Sequence, residues 1–179
     1  LTAVPDAGYT FDGWYSDAGY DHLLSNEETF EFVPAGPLRH IYPVFMPGEI
    51  QLDALNTANC YIAPELLRDY SFDATVQGNG CATLNITPQR LSGAYARLVW
   101  ETGTQANSVI SSLGYDGSRI RFRTGTQQGN ALIGLFNAGG ECVWSWHIWV
   151  ANYDPESSAQ KYSSGDIFMD RNLGTVGTD

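Results

Sequence analysis

Alternation with a period of two runs through almost every segment of this chain, and it restricts the fold more than any other feature. Tyr70, Phe72, Ala74 and Val76 alternate with Ser71, Asp73 and Thr75, the pattern of a strand that buries one face. Ala94, Ala96, Leu98 and Trp100 alternate in the same way with Tyr95, Arg97, Val99 and Glu101. In Arg119-Ile120-Arg121-Phe122-Arg123 the two apolar residues point inward and the three guanidinium groups outward. Asp116-Gly117 precedes that run and supplies the positive φ angles of a tight turn, so residues 108–123 read as a β-hairpin. Ala131 to Phe136, the turn Asn137-Ala138-Gly139-Gly140 and the return run Cys142 to Val150 read as a second. Phe30 and Phe32 mark a further strand, and Gly78-Asn79-Gly80 punctuates the chain between others. Helical signals shrink to one turn at 63–68, with Pro64 at the first helical position, and another at 157–162. The fold class is therefore all-β, with a β-sandwich as the expected architecture.

Composition narrows the function. The 179 residues carry a formal charge of −11, and Lys161 is the only lysine. Such a charge repels phosphate backbones and anionic lipid surfaces, so neither nucleic acid nor a charged membrane is an expected partner. With 43% hydrophobic residues the chain can bury a substantial core. No apolar run reaches the roughly 20 residues of a spanning helix, and the opening Leu1-Thr2-Ala3-Val4-Pro5 lacks the layout of a signal peptide. A secreted chain is then given in mature or excised form. Cys60, Cys81 and Cys142 make an odd set without CxxC spacing, which disfavours structural zinc. Buried free thiols are the favoured state, with a Cys60–Cys142 or Cys60–Cys81 bridge as the alternative.

A boundary falls near Met46-Pro47-Gly48-Glu49, where Pro-Gly breaks any regular element. It divides a small module, 1–47, from a β-sandwich domain, 50–174, and a tail, 175–179. In the module, Thr2-Ala3-Val4-Pro5-Asp6-Ala7-Gly8-Tyr9-Thr10-Phe11-Asp12-Gly13-Trp14-Tyr15, closing on Tyr42-Pro43-Val44-Phe45, resembles the later part of an internalin-type B repeat. That resemblance implies a small β-grasp-like unit cut at its start, with Phe11 and Trp14 anchoring its core. The second part is similar to a domain of Bacteroidetes surface and fimbrial-tip-like proteins. The likeness rests on Asn59-Cys60-Tyr61-Ile62, on Gly129-Asn130-Ala131 with the strand Val143 to Trp149, and on Met169-Asp170-Arg171-Asn172-Leu173-Gly174. The last string resembles the entry to lectin-like modules that continue past this point, so the chain reads as an excerpt of a longer protein. These resemblances imply adhesion and surface display, and carry no catalytic residues.

Candidate sites are few. The strand Val143 to Val150 alternates Trp144, Trp146, Ile148 and Val150 with Val143, Ser145, His147 and Trp149. Trp144 and Trp146 read as core. Trp149 lies on the mixed face and, with Tyr153 and Trp14, is a candidate surface for stacking on a sugar ring. His147, between two apolar neighbours, reads as a structural histidine bonded to backbone or carboxylate; the alternative is a base or metal ligand with Asp154 or Asp170. His22 and His40 face solvent. Asp12, Asp17 and Asp21 lack EF-hand register, and Asp166 with Asp170 is a minor Ca²⁺ candidate beside a capping role. Arg121, in the row Arg119/Arg121/Arg123, has two readings: a grip on an anionic sugar or acidic partner, or a solvated strand face that discourages edge pairing.

No nucleophile elbow, phosphate loop or metal spacing is present, so no catalytic residue, metal or cofactor is expected. A lone lysine weighs against isopeptide cross-links, which leaves strand addition to a sheet edge for any pilus-like assembly. The expectation is a non-enzymatic, extracellular surface or adhesion scaffold that presents a binding module, at the cell surface or a fimbrial tip. Its partners would be a glycan or another surface or pilus protein. The alternative is a carbohydrate-binding module of a glycan-utilising system, using exposed aromatics.

Overall fold

Strands account for nearly all regular structure in the computed structural model; among the described residues the one helix is α1 (Pro155–Ser158). The structure describes residues 1–6, 8–33, 36, 40–78 and 88–175. The chain forms two units, Leu1–Ile50 and Gln51–Asp179.

The first unit is an antiparallel sheet of β1 (Tyr9–Tyr15), β2 (Leu23–Ser25) and β3 (Tyr42–Pro47), in the order β2-β1-β3. Strict alternation would place Phe11 and Trp14, three residues apart, on opposite faces. The β1–β3 register instead shifts between Phe11 and Gly13, and the extra residue, Asp12, returns both rings to one side. Their centroids lie 5.3 Å apart, and Phe11 meets Phe45 edge-on at 5.7 Å. Gly13 leaves room for the Leu23 side chain, whose Cδ1 would lie 2.4 Å from a Cβ at that position. The strand expected at Phe30 and Phe32 does not form. Thr2 makes an isolated bridge to Thr29, and the two rings pack on each other at 6.0 Å instead of entering a ladder.

The second unit is built on two four-stranded sheets. One has the order β5-β11-β10-β7, from β5 (Cys60–Ala63), β7 (Tyr95–Glu101), β10 (Gly129–Phe136) and β11 (Cys142–Val150). The other has the order β4-β6-β9-β8, from β4 (Ile50–Gln51), β6 (Asp69–Asp73), β8 (Ile110–Tyr115) and β9 (Arg119–Thr124). Both expected hairpins are present, β8–β9 and β10–β11, with Gly117 at φ 99° and Gly140 at φ 86° in their turns. Such φ values suit glycine because it has no Cβ to clash. The inner faces supply a dry core of Tyr70, Phe72, Ile120, Ile133, Leu135, Trp146 and Ile148, each at most 1% exposed. Phe72 joins the sheets: its ring lies 5.1 Å from Tyr61 and 5.1 Å from Trp146 across the sandwich, and 6.3 Å from Phe122 in its own sheet.

Three local expectations are corrected. Residues 63–68 make a bend, not a helical turn, because Leu67 takes φ 55°. The bend is stapled by side chains: Tyr70 Oη accepts from Glu65 N at 2.9 Å, and Thr124 Oγ1 accepts from Arg68 N at 2.9 Å while donating to Glu65 O. Trp144 is only half-buried, its indole N–H donating to Asn59 Oδ1 at 3.0 Å. The third concerns β7, where alternation breaks at Val99. Leu98 stands opposite Ile133, but Trp100 stands opposite Leu132. The bulge turns Trp100 outward, leaving it 45% exposed, and directs Glu101 to the inner side opposite Ala131.

Glu101 thereby bridges the sheets. Its carboxylate accepts successive amides from Ser108 (3.2 Å), Val109 (3.1 Å) and Ile110 (3.0 Å) at the entry to β8. Cys60 is half-buried and Cys142 exposed, both with free thiols, so the buried state expected of Cys142 is corrected. Asn79, Gly80, Cys81 and the tail beyond Thr175 lie outside the described residues.

Candidate functional site

The face of β11 that carries Ser145, His147 and Trp149 points away from the sandwich core, yet Trp149 is fully buried. Residues following β11 return over it. Tyr153, itself 5% exposed, packs on Trp149 with ring centroids 5.0 Å apart. The guanidinium of Arg171 lies 4.2 Å from the Tyr153 ring centroid on its face, a cation–π contact. Asp170 locks the stack: it accepts from Tyr153 Oη at 2.9 Å and from Arg171 Nε and Nη2 at 3.1 Å each. The Arg171 hydrogen bonds are the main cause holding the Asp170 carboxyl below its ordinary range, and burial raises the Tyr153 phenol. The order Trp149, Tyr153, Arg171 is thus a sealed layer, and neither Trp149 nor Tyr153 offers a ring face to a sugar. That expectation is corrected, and the cause is a second layer of chain over the outer face.

Trp14 is also closed, 5% exposed, with its indole N–H donating to Glu27 O at 3.0 Å and its ring against Phe11. His22 and His40 are exposed as expected, His22 Nδ1 lying 3.1 Å from Asp17.

The arginine row points outward as alternation requires, and each guanidinium is engaged. Arg119 grips Asp53 through two nitrogens, at 2.6 Å and 3.2 Å, and reaches Ser71 Oγ. Arg123 donates to Asp69 at 2.7 Å. Arg121 donates to Asp116 in the β8–β9 turn, where Asp116 also accepts the amides of Ser118 and Arg119. A ligand at Arg121 would have to compete with that carboxylate.

The pairing has a consequence for acid stability. Burial acts to raise the Asp53 carboxyl, but the Arg119 hydrogen bond and the Asp73 amide outweigh it, and the net shift is downward. The Arg119 amide and the Arg121 guanidinium hold Asp116 well below the carboxylate range. A depressed folded-state pKa gives stabilisation that is complete above the unfolded value and lost as pH falls through the folded one. The contribution of each of these two pairs is therefore complete above the ordinary aspartate value of 3.8 and is lost only as pH falls below it. A carboxyl NMR titration is expected to show Asp53 and Asp116 each losing its proton below the ordinary aspartate value of 3.8; a midpoint at or above that value for either contradicts its ion-pair assignment.

His147 is hydrogen-bonded, but to neither Asp154 nor Asp170. Its Nδ1 lies 3.1 Å from Cys60 Sγ and its Nε2 2.8 Å from Asn130 Oδ1. Asp154 caps α1 by accepting from Glu156 N at 3.0 Å, and Asp166 accepts from Ser164 Oγ at 2.6 Å. Among the described residues no three His, Cys, Asp or Glu side chains gather as a metal site.

What remains open are surfaces the alternation did not single out. On the outer face of β7, Tyr95, Val99 and Trp100 are exposed, while Tyr95 at 5.5 Å and the Arg97 guanidinium at 4.4 Å pack on the buried Phe136 ring. Near the C-terminal end, β12 (Gln160–Lys161) and β13 (Ile167–Phe168) form a two-stranded ribbon. It borders an open cleft of about 450 Å³ lined by Pro155, Lys161, Ile167, Phe168 and Met169. The ribbon's strands are two residues long, too short for a period to show; Trp100 was hidden by a bulge.

Residues 1–37 match the model of the divergent InlB B-repeat domain. That family is typical of bacterial surface proteins. Neither a curated protein nor a solved structure matches the chain.

Proposed function

We propose that the chain is a non-enzymatic, extracellular part of a bacterial surface protein that displays a neighbouring binding module. The B-repeat match over residues 1–37 is the observation that carries this reading. The sandwich supports it: the rings that looked available for a ligand are packed into a sealed layer, and the arginine row is paired to carboxylates. Adhesion, whether at the cell surface or at a fimbrial tip, would then belong to the module displayed. Brief proteolysis of intact cells of the source organism tests the proposal. Peptides from this chain should be released before any cytoplasmic marker appears; release only after lysis would overturn it.

A second reading has one specific observation in its favour. Trp100 is 45% exposed on the outer face of β7 beside exposed Tyr95 and Val99, which leaves its ring available to stack on a sugar. A glycan array read with the intact chain and with Trp100→Ala separates the two. Binding that disappears with Trp100→Ala establishes a carbohydrate-binding module, and binding to no glycan by the folded chain removes that reading.

A further inference from the structure

Three polar side chains form a continuous relay on the outer face of the β5-β11-β10-β7 sheet. Cys60 Sγ lies 3.1 Å from His147 Nδ1, His147 Nε2 lies 2.8 Å from Asn130 Oδ1, and Asn130 Nδ2 donates to the Gly174 carbonyl at 2.7 Å. Sheet register brings them together. β5 runs parallel to β11 with Cys60 opposite His147, and β10 runs antiparallel with Leu132 opposite His147 and Asn130 opposite Trp149. Asn130 is therefore the diagonal neighbour of His147 on the same face.

The hydrogen bonds fix where the protons are. A carbonyl oxygen can only accept, so the amide nitrogen of Asn130 faces Gly174 and its Oδ1 faces His147. An amide oxygen can only accept as well, so His147 Nε2 carries a hydrogen. In the neutral ring that leaves Nδ1 unprotonated and turned to the Cys60 thiol. Gly174 makes the arrangement possible, with φ 88° and a Cα whose added Cβ would fall 2.8 Å from Asn130 Oδ1.

We propose that His147, oriented by Asn130, is the general base for Cys60, and that Cys60 is a nucleophilic site that takes up acyl groups from esters or thioesters. In the step, Sγ attacks the carbonyl carbon as its proton passes to His147 Nδ1. The Sγ–C bond forms, the carbon–oxygen or carbon–sulfur bond of the donor breaks, and the imidazolium returns the proton to the departing alcohol or thiol. The products are a Cys60 thioester and the free leaving group, with no change of oxidation state. Asn130 Oδ1 accepts from Nε2–H throughout and steadies the positive ring, the part played by the third member of Cys-His-Asn arrangements.

Burial raises the thiol and lowers the imidazole, and it is the sole cause of shift at each, so the resting pair is neutral. The proton consequently moves during attack. Facing His147 are the Cys60 thiol on β5 and the uncharged Asn130 on β10, whose Nδ2 is held by the Gly174 carbonyl; Asp170 and Arg171 are paired to one another. Cys142 supplies an internal comparison, since it is exposed and its Sγ donates to Trp144 O, with no imidazole partner.

The test uses the full chain with p-nitrophenyl acetate at about one equivalent, and reads acetyl occupancy at each cysteine by peptide mass spectrometry from about pH 5 to 9. Cys60 should acetylate faster than Cys142 at neutral pH. Its rate should level off once His147 has lost its proton, near or below the ordinary histidine value of 6.5, whereas the Cys142 rate keeps rising. His147→Gln should slow Cys60 about a hundredfold without changing Cys142. A Cys60 rate that climbs in parallel with Cys142 through pH 9 overturns the proposal, as does one unmoved by His147→Gln in a folded variant. Should that variant not fold, the pH profile of the unaltered chain decides. The inference is independent of the display reading: a surface location leaves it standing, and its failure leaves the surface location standing.

Discussion

Phe72→Ala is expected to lower the unfolding free energy of the second unit by about 4 kcal/mol, the range measured for deleting a buried aromatic ring. Phe72 is fully buried, and it is the ring through which the two sheets meet, touching Tyr61, Phe122 and Trp146. Removing it takes away its transfer free energy and opens a cavity that three large rings cannot close without leaving their rotamers. Phe72→Leu keeps most of the volume and should cost about 1.5 kcal/mol. Urea unfolding followed by tryptophan fluorescence gives both values. The account requires a midpoint shift at unchanged slope; a loss under about 1 kcal/mol for the alanine variant would mean that the sheets do not meet through this ring.

Glu101→Ala is expected to cost about 3 kcal/mol although no hydrophobic group is lost. Its carboxylate satisfies three consecutive amides at the point where the chain leaves β7 and enters β8. Hydrogen bonds to a charged group contribute about 1.5–3 kcal/mol each, but three on one carboxylate are not additive, and released amides recover part of the loss from water. The loop around them is tightly built. A Cβ on Gly103 would fall 1.8 Å from Ser108 Oγ, and one on Gly125 would fall 2.1 Å from Ser108 O. Glu101→Gln keeps the shape but has a single acceptor oxygen for the three donors, so an intermediate loss of about 1.5 kcal/mol follows. Amide exchange at Ser108, Val109 and Ile110 should accelerate in both variants. Unchanged protection there would show that other groups hold this crossing.

Much of the fold was legible because alternation is a local property. The β8–β9 and β10–β11 hairpins could be placed from the runs flanking Asp116-Gly117 and Asn137 to Gly140. Bulges were not legible, since an extra residue is defined only against a partner strand. The shifts at Asp12 and Val99 therefore changed the faces of Trp14, Trp100 and Glu101. The site fared worse for a related reason. Period two assigned Trp149 to the correct face, but whether that face is open depends on Tyr153, Asp170 and Arg171, which lie beyond the strand. His147 was read as bonded to backbone or carboxylate; its ring nitrogens instead meet the Asn130 amide and the Cys60 thiol, the latter 87 positions away and brought close by a parallel pairing that no short-range pattern encodes. The string Met169 to Gly174, read as a family resemblance with Asp170 as a candidate metal ligand or partner of His147, instead supplies the carboxylate, the guanidinium and the carbonyl that tie the covering segment down.

The central claim is that Trp149, on the outer face of the tryptophan-rich strand, is closed to ligands by the returning chain that carries Tyr153, Asp170 and Arg171. Trp149 tests it most directly, because its indole Nε1 is buried and meets no hydrogen-bond acceptor among the described residues. Exchange of its indole hydrogen in D₂O can be followed by NMR beside that of Trp100, which is 45% exposed. Trp149 is predicted to exchange as slowly as the amides of β11 and to speed up on Arg171→Ala, while Trp100 exchanges at once in both. Rapid exchange of Trp149 in the unaltered chain, at the rate of Trp100, would show an open ring and contradict the account.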